Sequence, residues 1–364
     1  MRLPLNHPED TKDINLEEMQ KMVDLFMQKG FHYYDTSYVY HDGASETAFR
    51  ETVVKKYPRY SFTVTDKLPM FMIQSAEQLE PIFAETLERL GVSYLDYYWL
   101  HSLTKSTYET SERIHAFEFI EQKKAEGKIR HIGFSFHDKA DVLETILQNH
   151  PEMEFVQLQL NYLDWEDETI QARQCYELCE KYGKQVIVME PLKGGALVDI
   201  PPEAEQMLKA YRPDANIPSW GIRFAASLKN VIMVLSGMST EAQMIDNLRF
   251  MENFEPLNEE EMDLVQKVAE IIRRSIAIPC TACHYCDGCP QDIPIPDYFA
   301  IYNNLKRFGK DQIVVATTYY GALAQHRGKA SQCIACGRCE EHCPQHISII
   351  EELKNVVCDV ENGR

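Results

Sequence analysis

Up to about residue 251 the chain alternates two kinds of hydrophobic pattern. Short apolar runs bounded by polar or breaker residues recur at 31–37, 61–67, 95–101, 131–137, 155–162, 185–191 and 231–237. Runs of that length and composition predict buried strands. Between them lie segments with apolar residues at helical spacing: 16–29, 45–57, 76–90, 109–126, 139–149, 167–182, 218–228 and 241–251. Gly30, Gly91, Gly127 and Gly183 follow helical runs, where a left-handed cap is wanted.

Strand–helix alternation predicts a parallel sheet. A doubly wound sheet usually has a Gly-x-Gly-x-x-Gly turn after its first strand, and none is present. Polar residues instead mark the C-terminal ends of the strands: Asp35, Lys67, His101, Ser135, Asn161, Glu190 and Gly237. This predicts a (β/α)8 TIM barrel, whose site is built at that rim. Seven strands are visible where eight are needed, so the first is expected to be missing from the N-terminus.

The cysteines divide the chain. Of eleven, only Cys175 and Cys179 precede residue 280, and their i,i+4 spacing reads as helix core. The tail carries Cys280, Cys283, Cys286 and Cys289-Pro290, then Cys333, Cys336, Cys339 and Cys343-Pro344. The second run has the spacing of a bacterial ferredoxin motif, and the first is one residue shorter before its last cysteine. Three thiolates at this pitch wrap one cubane, and the cysteine before proline ligates the other. Two [4Fe–4S] clusters are therefore expected, one on Cys280, Cys283, Cys286 and Cys343, the other on Cys333, Cys336, Cys339 and Cys289. Zinc prefers separated Cys-x-x-Cys pairs, and an odd cysteine count fits disulfides poorly. Cys358 has no expected role. The boundary is placed so that 1–278 is a barrel and 279–364 a small helical ferredoxin-like domain. Forty-four positions separate Cys289 from Cys333, and 296–309, 317–327 and 347–357 read as helices, resembling helical two-cluster ferredoxins.

Charge narrows the partners. Thirty-seven Lys+Arg face 56 Asp+Glu, a net charge of −19. Such acidity argues against nucleic acid, whose binders need a basic face, and against anionic lipid. No apolar run reaches the length of about 18 residues needed to span a membrane, and the N-terminal residues lack the apolar stretch of a signal peptide. The protein is expected to be cytoplasmic with reduced thiols.

The barrel segments Gly30 through Tyr40, Gly43 through Glu46, Thr65-Asp66-Lys67, Asp96 through His101, Ile132 through Ser135, Met189 through Gly195 and Gly237 through Asn247 together resemble the aldo/keto reductase superfamily. With the ferredoxin tail, and with Asn161-Tyr162-Leu163-Asp164, the chain resembles its bacterial and archaeal iron–sulfur subgroup. The resemblance implies a catalytic tetrad on Asp35, Tyr40, Lys67 and His101. In such a tetrad Tyr40 gives a proton to the developing alkoxide. Lys67, held by Asp35, lowers the phenol pKa from its usual value of about 10, and His101 orients the carbonyl. A nicotinamide cofactor is likewise implied. Ser135 and Gln157 match carboxamide contacts, and Asn161 can share the inward face of Gln157. Gly194 and Gly195 would admit the pyrophosphate, Gly237, Ser239 and Gln243 belong to the adenosine-phosphate loop, and Asn247 matches an adenine contact.

Departures from the family pattern are Phe136 in place of an Asn, and Gly237 and Gln243 in place of the cations that bind an NADP 2′-phosphate. They weaken NADP against NAD. Lys193 could supply a compensating charge or be an ordinary solvated lysine. Hydride moves two electrons and a cluster moves one. A flavin would bridge them, and no flavin signature is visible. The expected function is an oxidoreductase that reduces a small carbonyl, or oxidises an alcohol, and exchanges electrons with a redox partner protein. The alternative is an electron-transfer or redox-sensing protein with the barrel as docking scaffold.

Overall fold

The computed structural model describes residues 2–7, 10–168, 170–308 and 313–363. Its strands are β1 (Tyr33–Asp35), β2 (Thr63–Pro69), β3 (Leu95–Leu103), β4 (Ile129–Phe136), β5 (Phe155–Gln159), β6 (Gln185–Met189) and β7 (Val231–Val234). All neighbours pair in parallel and in chain order, β1 to β7. This is the strand succession of a (β/α) barrel with seven strands, and β1 and β7 are its edges among the described residues. Six of the seven residues of β2 and all five of β5 are buried. Burial on both faces is what continuous apolar runs demand.

The predicted helices form with informative differences. The helix at 109–126 is two, Lys105–Arg113 and Ala116–Ala125, divided at His115 with φ 58°. The first begins early because Thr104 and Thr107 cap it reciprocally. The helix at 45–57 starts as Ala44–Phe49 and continues through a wide turn, Arg50–Val54. Among the described residues three α-helices have no counterpart in the predicted pattern, Pro202–Tyr211, Glu259–Ser275 and the short Arg338–Glu341. The longer helices of the tail are Ile295–Phe308, Ile313–Leu323 and Ile349–Val356. Gly309, the last residue of the predicted 296–309 helix, lies outside the described residues.

The chain packs as two compact units. The first comprises Met1–Leu160, Gln171–Pro191 and Ile222–Leu257. It holds the sheet, with Trp99, Phe155 and Ile187 packed together inside it. The second comprises Asn161–Ile170, Leu192–Gly221 and Asn258–Arg364. Its core is apolar and aromatic, including Ile278, Tyr298, Phe299, Leu353 and Val356, with six of the tail cysteines packed against it. Among the described residues no helix is long and apolar enough to cross a membrane.

Candidate functional site

In the first unit, Asp35 ends β1, Lys67 lies near the end of β2 and His101 near the end of β3. Parallel pairing sets Lys67 beside Trp99 and Pro69 beside His101, so the polar side chains gather at one end of the sheet. The Lys67 ammonium lies 2.8 and 2.7 Å from the two Asp35 oxygens and 2.7 Å from the Thr36 carbonyl oxygen. Its side chain has no exposure. An ammonium has three N–H donors, and these three acceptors use them all.

Tyr40 opens a short helical turn, Tyr40–Gly43. The Lys67 nitrogen faces its ring, 4.7 Å from the centroid. The expectation that Lys67 lowers the phenol pKa is not met in this state. Burial, and then the charges of Asp35, Asp66 and Glu190, hold Tyr40 well above its ordinary value. The physical reason is first the burial of the phenol, and then that the ammonium beside it is committed to Asp35 and Thr36. His101 is buried, its Nδ1 3.2 Å from Ser37 Oγ, and its ring stands edge-on to Tyr40. Burial, then Lys67 and His137, hold its pKa well below the usual histidine value, so the imidazole is neutral.

Behind Lys67 is a pair that the pattern reading missed. Asp66 and Glu46 are both fully buried. Asp66 Oδ1 accepts the backbone N–H groups of Tyr38 and Lys67, at 3.1 and 2.6 Å. Glu46 Oε2 takes Arg89 at 3.0 Å. Asp66 Oδ2 and Glu46 Oε1 are buried without a hydrogen-bond partner. Burial, and for Asp66 also the neighbouring Glu46, raises both pKa values. Both residues stand in segments already singled out, but only the fold reveals that they meet.

Ser135 and Gln157 are buried register partners on β4 and β5. Ser135 Oγ accepts Ser102 N–H at 2.7 Å, where β3 departs from regular pairing and Ser102 has φ 59°. Phe136 is buried beside them. The 237–243 loop is closed on itself. Gln243 Oε1 accepts Ser239 N–H at 2.8 Å, Ser239 Oγ donates to the Arg2 carbonyl oxygen at 3.0 Å, and the Arg2 stem lies against Gly237. Asn247 donates to Ser236 Oγ at 3.0 Å.

The second unit contains the other predicted contacts, with unexpected partners. Asn161 Oδ1 accepts Leu163 N–H and Asp164 N–H, and its Nδ2 donates to Asp164 Oδ2 at 2.8 Å. Gly194 has φ 63°, and a Cβ there would stand 2.3 Å from the Thr281 carbonyl oxygen. The backbone it admits so closely is thus the chain's own. Gly195, φ 104°, faces open space. Lys193 is not a solvated surface lysine: it is buried, bonded to Asp164 and Gln345.

Cys280, Cys283, Cys286 and Cys343 line one cavity with Thr281, His284, Phe299 and Gln345. Among the described residues no three His, Cys, Asp or Glu side chains converge on a single metal-ion position. A cubane asks for a different arrangement, four thiolates around a volume, one on each iron, and four cysteines around a cavity fit that group. The two cysteine runs also share a backbone form. Ala282 and His284 flank Cys283 with φ 50° and 64°; Ala335 and Gly337 flank Cys336 with φ 53° and 79°. Left-handed residues are rare outside glycine, and such turns curl backbone N–H groups into anion-binding concavities. A reduced cluster with its thiolates is such an anion. Cys289, Cys333 and Cys339 pack on the tail core, while Cys336 and Cys358 are exposed. Cys175 and Cys179 are buried.

Acid–base groups at a sheet end, together with a thiol-lined cavity, are the equipment of an oxidoreductase. The model of the Aldo/keto reductase family matches residues 5–270, most of the chain, and the protein belongs to that family. A 4Fe-4S dicluster domain matches residues 279–348. The NADH-specific methylglyoxal reductase of Escherichia coli (strain K12) is 25% identical over 290 residues, covering 67% of this chain and 85% of that protein. An aldo-keto reductase from Bacillus halodurans, in its holo form, superposes with a TM-score of 0.56 at 21% identity over 70% of this chain and 88% of that one. The Klebsiella pneumoniae aldo-keto reductase in complex with NADPH gives 0.58 at 16% identity, over 73% and 90%. These likenesses in structure concern the fold.

Proposed function

We propose that this protein reduces a small carbonyl compound with a nicotinamide cofactor, or runs the reverse oxidation, and passes electrons through two [4Fe–4S] clusters to a redox partner protein. The observation that carries the reading is the Asp35–Lys67 pair beside Tyr40 and a neutral His101 at the strand ends. When bound, the nicotinamide supplies or takes hydride, and the clusters supply or take single electrons. Tyr40, kept protonated by its surroundings, holds the proton that the alkoxide oxygen needs. In the tautomer whose Nδ1 accepts from Ser37, the ring proton lies on Nε2, where it can orient the carbonyl oxygen. Lys67 fixes the position and field of Tyr40 and is itself fixed by Asp35. Ser135 and Gln157 are the residues that would hold the carboxamide. Acid–base help of this kind is worth about 10²–10⁴ in rate.

Cys280, Cys283, Cys286 and Cys343 would hold one cluster, and Cys289, Cys333, Cys336 and Cys339 the other. The repeated left-handed turns around Cys283 and Cys336 support two. NADH is the favoured nicotinamide, because Gly237 and Gln243 offer no cation and Lys193 is engaged by Asp164. The relative named for NADH and methylglyoxal agrees with a small carbonyl substrate. Anaerobic purification with iron, sulfide, flavin and nicotinamide quantified together tests the reading. About eight irons per chain and nicotinamide binding in titration are expected, and a chain that binds no nicotinamide sinks the reductase assignment.

The second reading, an electron-transfer or sensing protein with a catalytically silent barrel, is favoured by the internal engagement of Asn161, Gly194 and Gln243. It predicts clusters without nicotinamide binding.

A further inference from the structure

Within the second unit, two separate stretches of sequence meet beside the cysteine cavity. Lys193 is 3% exposed, Asp164 2% and Gln345 4%. The Lys193 ammonium lies 2.6 Å from Asp164 Oδ1 and 2.8 Å from Gln345 Oε1. Asp164 Oδ2 is held by Asn161 Nδ2. Gln345 lines the cavity of Cys280, Cys283, Cys286 and Cys343. On the next residue, Gly194 admits the Thr281 carbonyl oxygen, and Thr281 lines the same cavity. Lys193 has φ 45°, a conformation a lysine adopts only when its surroundings impose it. The segment is thus pinned at two points of the cavity wall.

We propose that Lys193 is a positioning residue that raises the reduction potential of the cluster on Cys280, Cys283, Cys286 and Cys343, acting through Gln345. The inference rests on the assignment of that cluster to those four thiols. Two physical arguments carry it. First, an ammonium only donates, so it fixes the Gln345 carboxamide with Oε1 toward Lys193. That fixes the orientation of a polar side chain in the cavity wall, and the polar groups around a cluster are among the determinants of its potential. Second, reduction adds a negative charge to the cluster. Lys193 touches a residue of the cavity wall, whereas its counter-ion Asp164 is not part of that wall. This contact with the wall is thus made by the positive member of the pair, and in a buried site its field is weakly screened. That field favours the reduced state.

The test uses the full chain, purified anaerobically with its clusters, in potentiometric titrations followed by electron paramagnetic resonance. Lys193→Met leaves the Asp164 carboxylate alone and is expected to lower the potential of one cluster. Asp164→Asn leaves the ammonium alone and is expected to raise the same potential, with the second cluster unmoved in both. Shifts of the same sign, or no shift with iron content intact, would overturn the proposal, since a packing role predicts no opposition of sign. If Lys193→Met fails to retain iron, Asp164→Asn decides: an upward shift supports the proposal and any other result overturns it. Absence of iron and sulfide from the unmodified protein would refute the cluster assignment, and the proposal with it, and is distinguishable by analysis before any titration.

Discussion

Lys67 and Asp35 form a two-pronged ion pair, 2.8 and 2.7 Å, with the lysine side chain wholly buried. Removing one partner of a buried pair strands the other. Asp35→Asn is expected to destabilise the fold by about 3–5 kcal/mol, and more than Lys67→Met, which leaves a carboxylate with some exposure (14%). Thermal unfolding of the two variants checks the order.

Tyr40→Phe keeps the ring against Lys67 and removes the proton donor. Turnover of a carbonyl substrate is expected to fall by about 10²–10⁴-fold while the melting temperature stays near that of the parent. Unchanged turnover would remove Tyr40 from the chemistry.

The raised pKa of buried Asp66 has a stability consequence. Asp66 has a raised pKa in the folded state against about 3.9 unfolded. A raised value means that the folded chain binds the proton more tightly. The contribution is full below the unfolded pKa and is lost as pH rises through the folded one. Asp66→Asn retains an acceptor for Tyr38 and Lys67 N–H and cannot ionise. Its melting temperature is expected to fall less than the parent's as pH is raised above the ordinary carboxylate range, and equal slopes in thermal melts would argue against the raised Asp66 pKa.

Gly194→Ala places a Cβ 2.3 Å from the Thr281 carbonyl oxygen at φ 63°. The left-handed backbone alone costs about 1–2 kcal/mol, and the collision adds to it. Gly195→Ala, with open space around it, bears only the backbone cost. Denaturant unfolding is expected to rank Gly194→Ala as the more damaging.

Pairs of cysteine variants distinguish the cluster assignment. Cys286→Ser and Cys343→Ser are assigned to one cluster, so the double variant is expected to keep about half its iron, like either single one. Combining Cys286→Ser with Cys289→Ser touches both clusters and is expected to remove nearly all. Iron analysis after anaerobic purification reads the difference, and the reverse pattern would exchange Cys289 and Cys343.

Much of the fold is legible in the sequence because buried parallel strands read as apolar runs. All seven strands form within the predicted segments or within two residues of them. The helix Glu259–Ser275 was missed although Asn258 and Glu261 form a capping box and Val265, Val268, Ala269 and Ile272 make its buried stripe. Those signals lie beyond the last strand, where the strand–helix alternation stops. The positions of Asp35, Lys67 and His101 were legible because strand ends collect polar groups. The engagement of Lys193, Gly194 and Asn161 was not, since their partners Gln345 and Thr281 are distant in sequence, and proximity of that kind is a property of topology rather than of spacing.

The second unit is assembled from three stretches of chain, 161–170, 192–221 and 258–364, of which the first two interrupt the first unit in sequence and the third follows it. Domains fold as units, in order of synthesis on the ribosome. This unit cannot be complete until its last stretch has emerged, so the 192–195 segment waits for Thr281 and Gln345. Maturation of the reductase is thereby tied to the arrival of the iron-binding tail, and a translation product stopped before residue 280 would leave Lys193 and Gly194 without the surfaces that shape them.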